Sequence, residues 1–162
     1  MEHLYAPWRD AYIKNKIEGC PFCYIVENPD IDAKTKVLFR STNCFIVMNL
    51  YPYTPGHLMV IPNRHLDKLE DLEESVWQEM NVLVFRCVTL LKKELHVSGV
   101  NLGMNLGSAA GAGIAEHIHY HIVPRWQRDT NFITTIAHTR VYSTDFESFY
   151  QKIKQHIPKY FG

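Results

Sequence analysis

Glu116-His117-Ile118-His119-Tyr120-His121-Ile122-Val123 alternates imidazoles with bulky apolar side chains. That period of two belongs to an extended strand, so the spacing predicts a strand over 117–123, ended by Pro124. His117, His119 and His121 then share one face, while Ile118, Tyr120 and Ile122 face the other and pack under helices. Three imidazoles in a row make poor core filling, because a buried polar group left without a partner costs roughly 1–3 kcal/mol. Three readings are open: a structural histidine ladder, a metal site of i, i+2, i+4 ligands, and nucleophilic or acid–base catalysis. Histidine suits the third best, since a reference pKa near 6.5 leaves a neutral, nucleophilic nitrogen at physiological pH. The central residue, His119, is flanked on both sides by groups able to orient it and handle its proton. Attack by its nitrogen on phosphorus would give a labile phosphoramidate that a second acceptor can capture.

The segment before this strand fits an anionic ligand. Asn105-Leu-Gly-Ser-Ala-Ala-Gly-Ala-Gly113 places glycines at 107, 111 and 113 around Ser108. Small residues let backbone N–H groups converge on a phosphate, although such a loop alone reads equally as a flexible hairpin. Further upstream, Leu72, Val76, Met80, Leu83, Cys87, Leu90 and Leu91 recur at helical spacing, with Asp71 and Glu74 set as a capping box and Gly99 placed for the turn after Leu95 and His96. Strands are predicted at 36–40, 43–50, 57–61 (stopped by Pro62) and 100–105, and Tyr51-Pro-Tyr-Thr-Pro-Gly56 reads as a turn. Residues 1–35 read as irregular, with a short helical piece near Trp8–Lys16. A last amphipathic helix follows Thr144, with Phe146, Phe149, Tyr150, Ile153 and Ile157 on one face. Strands without βαβ alternation, interrupted by one long helix, predict an α+β domain with helices on one face of the sheet.

The chain is 162 residues long, with 17 Lys+Arg against 17 Asp+Glu, 46% hydrophobic residues and nine histidines. One domain spanning 1–162 is expected at this length. A balanced charge argues against a polymeric nucleic-acid partner, which calls for a basic excess. No apolar run reaches the roughly 20 residues that span a bilayer, and the first residues carry no secretory pattern, so a cytoplasmic protein is expected. Cys44 and Cys87 lie in apolar patterns and read as core residues. Cys20-Pro-Phe-Cys23 is half of a metal site, a pair of thiols in a loop, or a redox pair.

His117-Ile-His-Tyr-His-Ile-Val123 resembles the signature of the histidine triad (HIT) family, and Asn49-Leu-Tyr-Pro-Tyr-Thr-Pro-Gly-His-Leu-Met-Val-Ile-Pro62 is similar to its upstream nucleotide-binding strand and turn. Leu4–Arg9, the C-x-x-C motif, Pro124-Arg-Trp126 and Asp129-Thr-Asn-Phe132 resemble its diadenosine tetraphosphate phosphorylase branch. The resemblance implies a HIT-like fold, mostly antiparallel, with about five strands and two main helices. Residues 36–126 would form its core and 127–162 a C-terminal extension. It also implies a homodimer and a nucleotide or dinucleoside polyphosphate as substrate. His119 would be the nucleophile and His121 and His117 its neighbours. Asn49 would meet the ribose, Phe45 and Leu50 the base, and Asn105, Gly111 and Gly113 the phosphates. Some members of the superfamily bind a structural metal through C-x-x-C, a later His and the first triad His, which here implies zinc at Cys20, Cys23, His65 and His117.

The pattern departs from the family at Ala112-Gly-Ile-Ala115, where many members carry Gln and Ser/Thr, and the loop is one residue longer. That substitution removes side-chain donors near the scissile phosphate and leaves room for inorganic phosphate as acceptor. The alternatives are a hydrolase of dinucleoside polyphosphates or nucleoside phosphoramidates and, in another class, a nucleotide-binding regulatory protein with little turnover. Of the remaining residues, His57 reads as a core or supporting histidine, and His3, His96, His138 and His156 as surface ones. Trp77 reads as packing, Trp126 as either an adenine stack or a packing residue, and Arg9, Arg125 and Arg128 as solvated charges or polyphosphate contacts.

Overall fold

The computed structural model describes residues 19–129, 132–137 and 145–162. The helical piece expected near Trp8–Lys16, together with His3, Arg9 and His138, lies outside them. In chain order the helices are α1 (Pro21–Glu27), α2 (Asp32–Thr35), α3 (Glu74–Glu94), α4 (Phe132–Ala137), α5 (Phe146–Lys154) and α6 (Ile157–Phe161). The strands are β1 (Val37–Arg40), β2 (Cys44–Met48), β3 (Leu58–Pro62), β4 (Gly99–Gly103) and β5 (Tyr120–Arg125). They pair antiparallel throughout, in the order β1-β2-β3-β5-β4. This is the α+β sheet expected from the sequence.

Alternation along the strands divides the core between the two faces of the sheet. Ile46, Met48, Leu58, Val60 and Ile122 pack against Val76, Met80, Leu83, Cys87, Leu90 and Leu91 of α3, together with Tyr150, Ile153 and Phe161 from α5 and α6. Each fully buried side chain of this kind contributes roughly 1.5–3 kcal/mol of hydrophobic stabilisation. Phe45, Val47, Met59 and Ile61 form a second cluster, closed by Phe22 and Ile25 of α1. His121 pairs with Met59 across β3 and β5, and with Gly103 across β4 and β5. Gly103 offers no side chain at that paired position, and a Cβ built there meets nothing within 4 Å.

Several local expectations change. The 1–35 segment holds short helices where irregular chain was expected. Pro21 sits at the start of α1, where its missing N–H costs no helical bond, and burial of Phe22 and Ile25 holds the helix. Helices therefore occupy parts of both sheet faces. Asp71 and Glu74 form no capping box: Glu73 is the N-cap and makes no side-chain cap bond. His96, with φ of 55°, makes the left-handed turn assigned to Gly99, which instead begins β4. The last amphipathic helix breaks at Gln155 and His156 into α5 and α6. β5 starts at Tyr120 and runs through Pro124, so His117 and His119 precede the ladder. Pro124 is tolerated because β3 pairing ends at Ile122, leaving no donor required on that side. Pro62 likewise ends β3 from within the strand. Among the described residues no helix is long and apolar enough to cross a membrane.

Candidate active site

The histidines at 57, 117, 119 and 121 are all buried, His57 and His117 with no accessible surface. Hydrogen-bond partners assign their tautomers. His57 Nδ1 accepts the Tyr53 backbone N–H at 3.2 Å, and the Asn49 side-chain nitrogen lies 3.2 Å from the same atom. A ring nitrogen that accepts carries no proton, so the His57 proton sits on Nε2. That nitrogen donates to His121 Nδ1 at 2.9 Å. The His121 proton is consequently on Nε2, a buried atom with no hydrogen-bond partner among the described residues. A buried donor without a partner is costly, and marks a place where a ligand acceptor would be bound.

His119 has the opposite arrangement. Its Nδ1 donates to the His117 backbone carbonyl at 2.8 Å, which leaves the Nε2 lone pair free for chemistry. The His119 and His121 rings meet edge to face, centroids 4.8 Å apart. A ring carrying a lone pair on Nε2 and a ring carrying an unpartnered Nε2–H are therefore in direct contact. Burial lowers the pKa of each ring. His57 falls to about 3, with repulsion from His121 and His119 adding to desolvation. His121 falls to about 4 through burial and then its neighbour His119. His119 is also lowered by burial, against a partly restoring hydrogen bond to His117. All are thus neutral at physiological pH, the state the tautomer assignment requires.

His117 faces elsewhere. Its Nε2 donates to the Pro62 carbonyl at 2.9 Å, so Nδ1 carries the lone pair and points at Cys20 Sγ (3.3 Å) and Cys23 Sγ (3.7 Å). His65 Nδ1 lies 3.2 Å from Cys23 Sγ, and the four ligand atoms all lie within 4.8 Å of one another. A tetrahedron around zinc with ordinary Zn–N and Zn–S bonds has edges of about 3.3–3.8 Å, which these separations approximate. A backbone carbonyl holding the outer nitrogen of a histidine ligand is the usual supporting arrangement for such sites. The donor set fits the metal. Phe22, between the two cysteines on α1, packs against His117 and His119 with centroids 5.4 and 5.2 Å apart.

The remaining expected residues divide. Asn49 is half-buried, its Oδ1 accepting the Tyr51 N–H at 2.9 Å, while Leu50 is exposed. Phe45 has no accessible surface and lies under the Arg40 guanidinium, so it supports the site from the core and lines no opening. Asn105, Gly111 and Gly113 lie on the loop joining β4 to the histidine segment. There Gly107 and Gly111 adopt positive φ of 79° and 87°, which a glycine takes without strain. Trp126 donates Nε1–H to the Pro55 carbonyl and packs edge-on against Phe149, and Arg125 pairs with Asp129. Cys44 and Cys87 are buried core residues as expected. His57, read as a core or supporting histidine, is buried and supports His121, while the Tyr53 backbone N–H was not legible as a site group. The Pro-Gly-His sequence hints at a turn before His57, but not at the imidazole pair it creates.

The lone pair, the buried donor and the Cys2His2 cluster define a histidine-based site of the HIT class. A model of the HIT domain matches residues 31–128, and the chain belongs to this family. It is 36% identical over 149 residues to the AP-4-A phosphorylase of Mycobacterium tuberculosis, covering 87% of this chain and 76% of that protein. It is 33% identical over 95 residues to the asymmetrical bis(5'-nucleosyl)-tetraphosphatase of Schizosaccharomyces pombe, covering 59% of this chain and 52% of that protein. The solved structure of a zinc-bound histidine triad family protein from Mycobacterium smegmatis superposes with a TM-score of 0.71 at 27% identity, covering 87% of this chain and 94% of that one.

Proposed function

We propose that this chain is an enzyme that cleaves dinucleoside polyphosphates by nucleotidyl transfer, acting as a diadenosine tetraphosphate phosphorylase. The reading rests on one observation: the ring of His119, whose Nε2 lone pair is left free, is in edge-to-face contact with the ring of His121, whose buried Nε2–H has no partner among the described residues. His119 Nε2 attacks an α-phosphorus, the P–O bond to the bridging oxygen breaks, and ATP leaves with that bond's electron pair. His121 donates a hydrogen bond to the phosphoryl oxygens as charge builds on them. Inorganic phosphate then attacks the adenylyl-histidine, His119 is released, and ADP forms. Water in place of phosphate would give AMP, the outcome of the hydrolase alternative.

The loop of Asn105, Gly111 and Gly113 supplies backbone donors to the polyphosphate, and Leu50 an apolar surface for the base. Asn49 holds His57 and retains further amide valences for a ribose hydroxyl. Cys20, Cys23, His65 and His117 would hold zinc. A closed Cys2His2 site supplies structural cross-linking when bound, with no open position for substrate. His117 then contributes to chemistry through its backbone carbonyl. A homodimer is supported by β4, whose outer edge is unpaired among the described residues and whose Leu102 is exposed. The thiol state of all four cysteines is compatible with the cytoplasm.

The test is a product profile from diadenosine tetraphosphate with and without phosphate. ATP and ADP in equal amounts, dependent on phosphate, are expected. Phosphate-independent AMP would move the assignment to a hydrolase, and binding without turnover would move it to a regulatory protein.

A further inference from the structure

The C-terminal helix α5 lies beyond the segment that matches the family domain, yet it touches the turn that carries His57. Two routes make the connection, and a further hydrogen bond ties the same turn to β5. Gly56, buried at φ of 81°, lies directly against Phe149: a Cβ built on it would stand 2.6 Å from Phe149 Cε1. Phe149 also meets Trp126 edge to face at 5.8 Å, and Trp126 Nε1 donates to the Pro55 carbonyl at 3.3 Å. Thr54, with no accessible surface, donates its hydroxyl to the Pro124 carbonyl at 2.7 Å.

These contacts bear on consecutive residues of one turn. Inside it, the His57 N–H donates to the Thr54 carbonyl at 3.1 Å, and the Tyr53 N–H donates to the His57 ring. The Tyr53 ring also covers both imidazoles, with centroids 4.6 Å from His57 and 5.6 Å from His121. A shift of the turn therefore moves the donor that fixes the His57 tautomer. The helix itself is well anchored. Tyr150, fully buried, donates its hydroxyl to the Val37 carbonyl at 3.0 Å, Lys36 pairs with Glu147, and Asp145 caps the first turn through Ser148 N–H.

We propose that Phe149 and Trp126 are positioning residues: α5 braces the 51–56 turn from outside the family domain and thereby holds His57 in register with His121. The kinetic consequence rests on the role given above to His121; the positional one does not. A small displacement at a reacting centre is enough to matter, since about 1 Å of misplacement can lower a rate about a hundredfold.

The experiment compares wild type, Phe149→Ala, Phe149→Leu and Trp126→Phe in the full-length, metal-loaded protein. Ring nitrogen resonances of His57 and His121 report the tautomers directly, and kcat and KM are measured on diadenosine tetraphosphate. Phe149→Ala is expected to shift both sets of ring signals and to lower kcat about 10- to 100-fold, with KM within about twofold. Phe149→Leu, which refills the contact, should restore most of both. Trp126→Phe keeps the aromatic packing and removes one hydrogen bond, so it decides the matter where Phe149→Ala does not fold. Its expected result is a smaller shift of the same signals. Unchanged His57 and His121 signals in the folded variants would overturn the proposal. If wild type shows no turnover but the ring signals move, the bracing stands and the assigned activity falls.

Discussion

The His57–His121 pair is stored neutral, and that sets a cost at low pH that can be worked out. His57 and His121 have pKa values lowered to about 3 and about 4, against about 6.5 in an unfolded chain. Between those limits the unfolded state binds more protons than the folded one. Stability contributed by the neutral pair is therefore intact above about pH 6.5 and is lost progressively as pH falls towards the folded values. At pH 5 each ring contributes about 2 kcal/mol of destabilisation, and the pair about 4 kcal/mol, relative to neutral solution. His57→Gln removes one of the two titrating rings. Glutamine can still donate from Nε2 to His121 Nδ1 while its oxygen accepts the Tyr53 N–H, which keeps the local network filled. Urea unfolding of wild type and His57→Gln at pH 7 and pH 5 isolates the contribution, because the other histidines and the Cys2His2 cluster are common to both. The drop in unfolding free energy from pH 7 to pH 5 should be smaller in the variant by about 2 kcal/mol. Equal drops in the two proteins would show that His57 is not held neutral by its surroundings, and the tautomer assignment would fail with it.

Other substitutions test separate parts of the site. His119→Asn should lower turnover of diadenosine tetraphosphate by at least about 10⁴-fold while nucleotide binding, followed by calorimetry, stays within an order of magnitude. Wild-type turnover in that variant would remove His119 as nucleophile. Cys20→Ser should lose stoichiometric zinc by elemental analysis and lower the thermal midpoint, since a structural metal contributes its binding free energy to the folded state. Equal zinc content in variant and wild type would exclude Cys20 as a ligand. Gly56→Ala should destabilise by roughly 2–5 kcal/mol, combining left-handed backbone strain with overpacking against Phe149. In a Phe149→Ala background the overpacking part should vanish. Additive effects in that double-mutant cycle would contradict the contact.

The sheet and α3 were legible because their residues obey one rule each. Cys44–Met48 and Leu58–Pro62 are short, branched and apolar, and the buried residues of α3 keep to a 3.6-residue period. The Cys2His2 set emerged once the resemblance linked Cys20 and Cys23 with His65 and His117, and the fold does bring these four together. What escaped depended on contacts between distant segments. Proline at its start and a Tyr-Ile-Val run hid α1, which persists because Phe22 and Ile25 are buried against β2 and β3. The resemblance implied a base contact for Phe45. Alternation along β2 instead turns it beneath Arg40, into the second core. The pairing of Gly56 with Phe149 spans 93 positions, and no local pattern announces it.

The three triad histidines are chemically equivalent in the motif, and the backbone makes them different. A carbonyl partner takes the proton-bearing nitrogen of a ring and leaves a lone pair opposite. The His117 carbonyl does this to His119, and the Pro62 carbonyl does it to His117. An N–H partner does the reverse, as Tyr53 does to His57, and the effect passes through His57 to give His121 a free N–H. In the function proposed above, one ring would thus act as nucleophile, one as metal ligand and one as donor, with no charged side chain required at the reacting centre. On that proposal, a chain with 17 basic and 17 acidic residues would meet a polyphosphate without a basic surface. Oriented neutral donors cost little reorganisation at the moment of reaction and, shielded from bulk water, are worth more than in solution. With the bracing proposed above, moving the backbone group that assigns a tautomer would matter more here than exchanging a side chain for another of similar polarity, and the 51–56 turn carries one such group, the Tyr53 N–H.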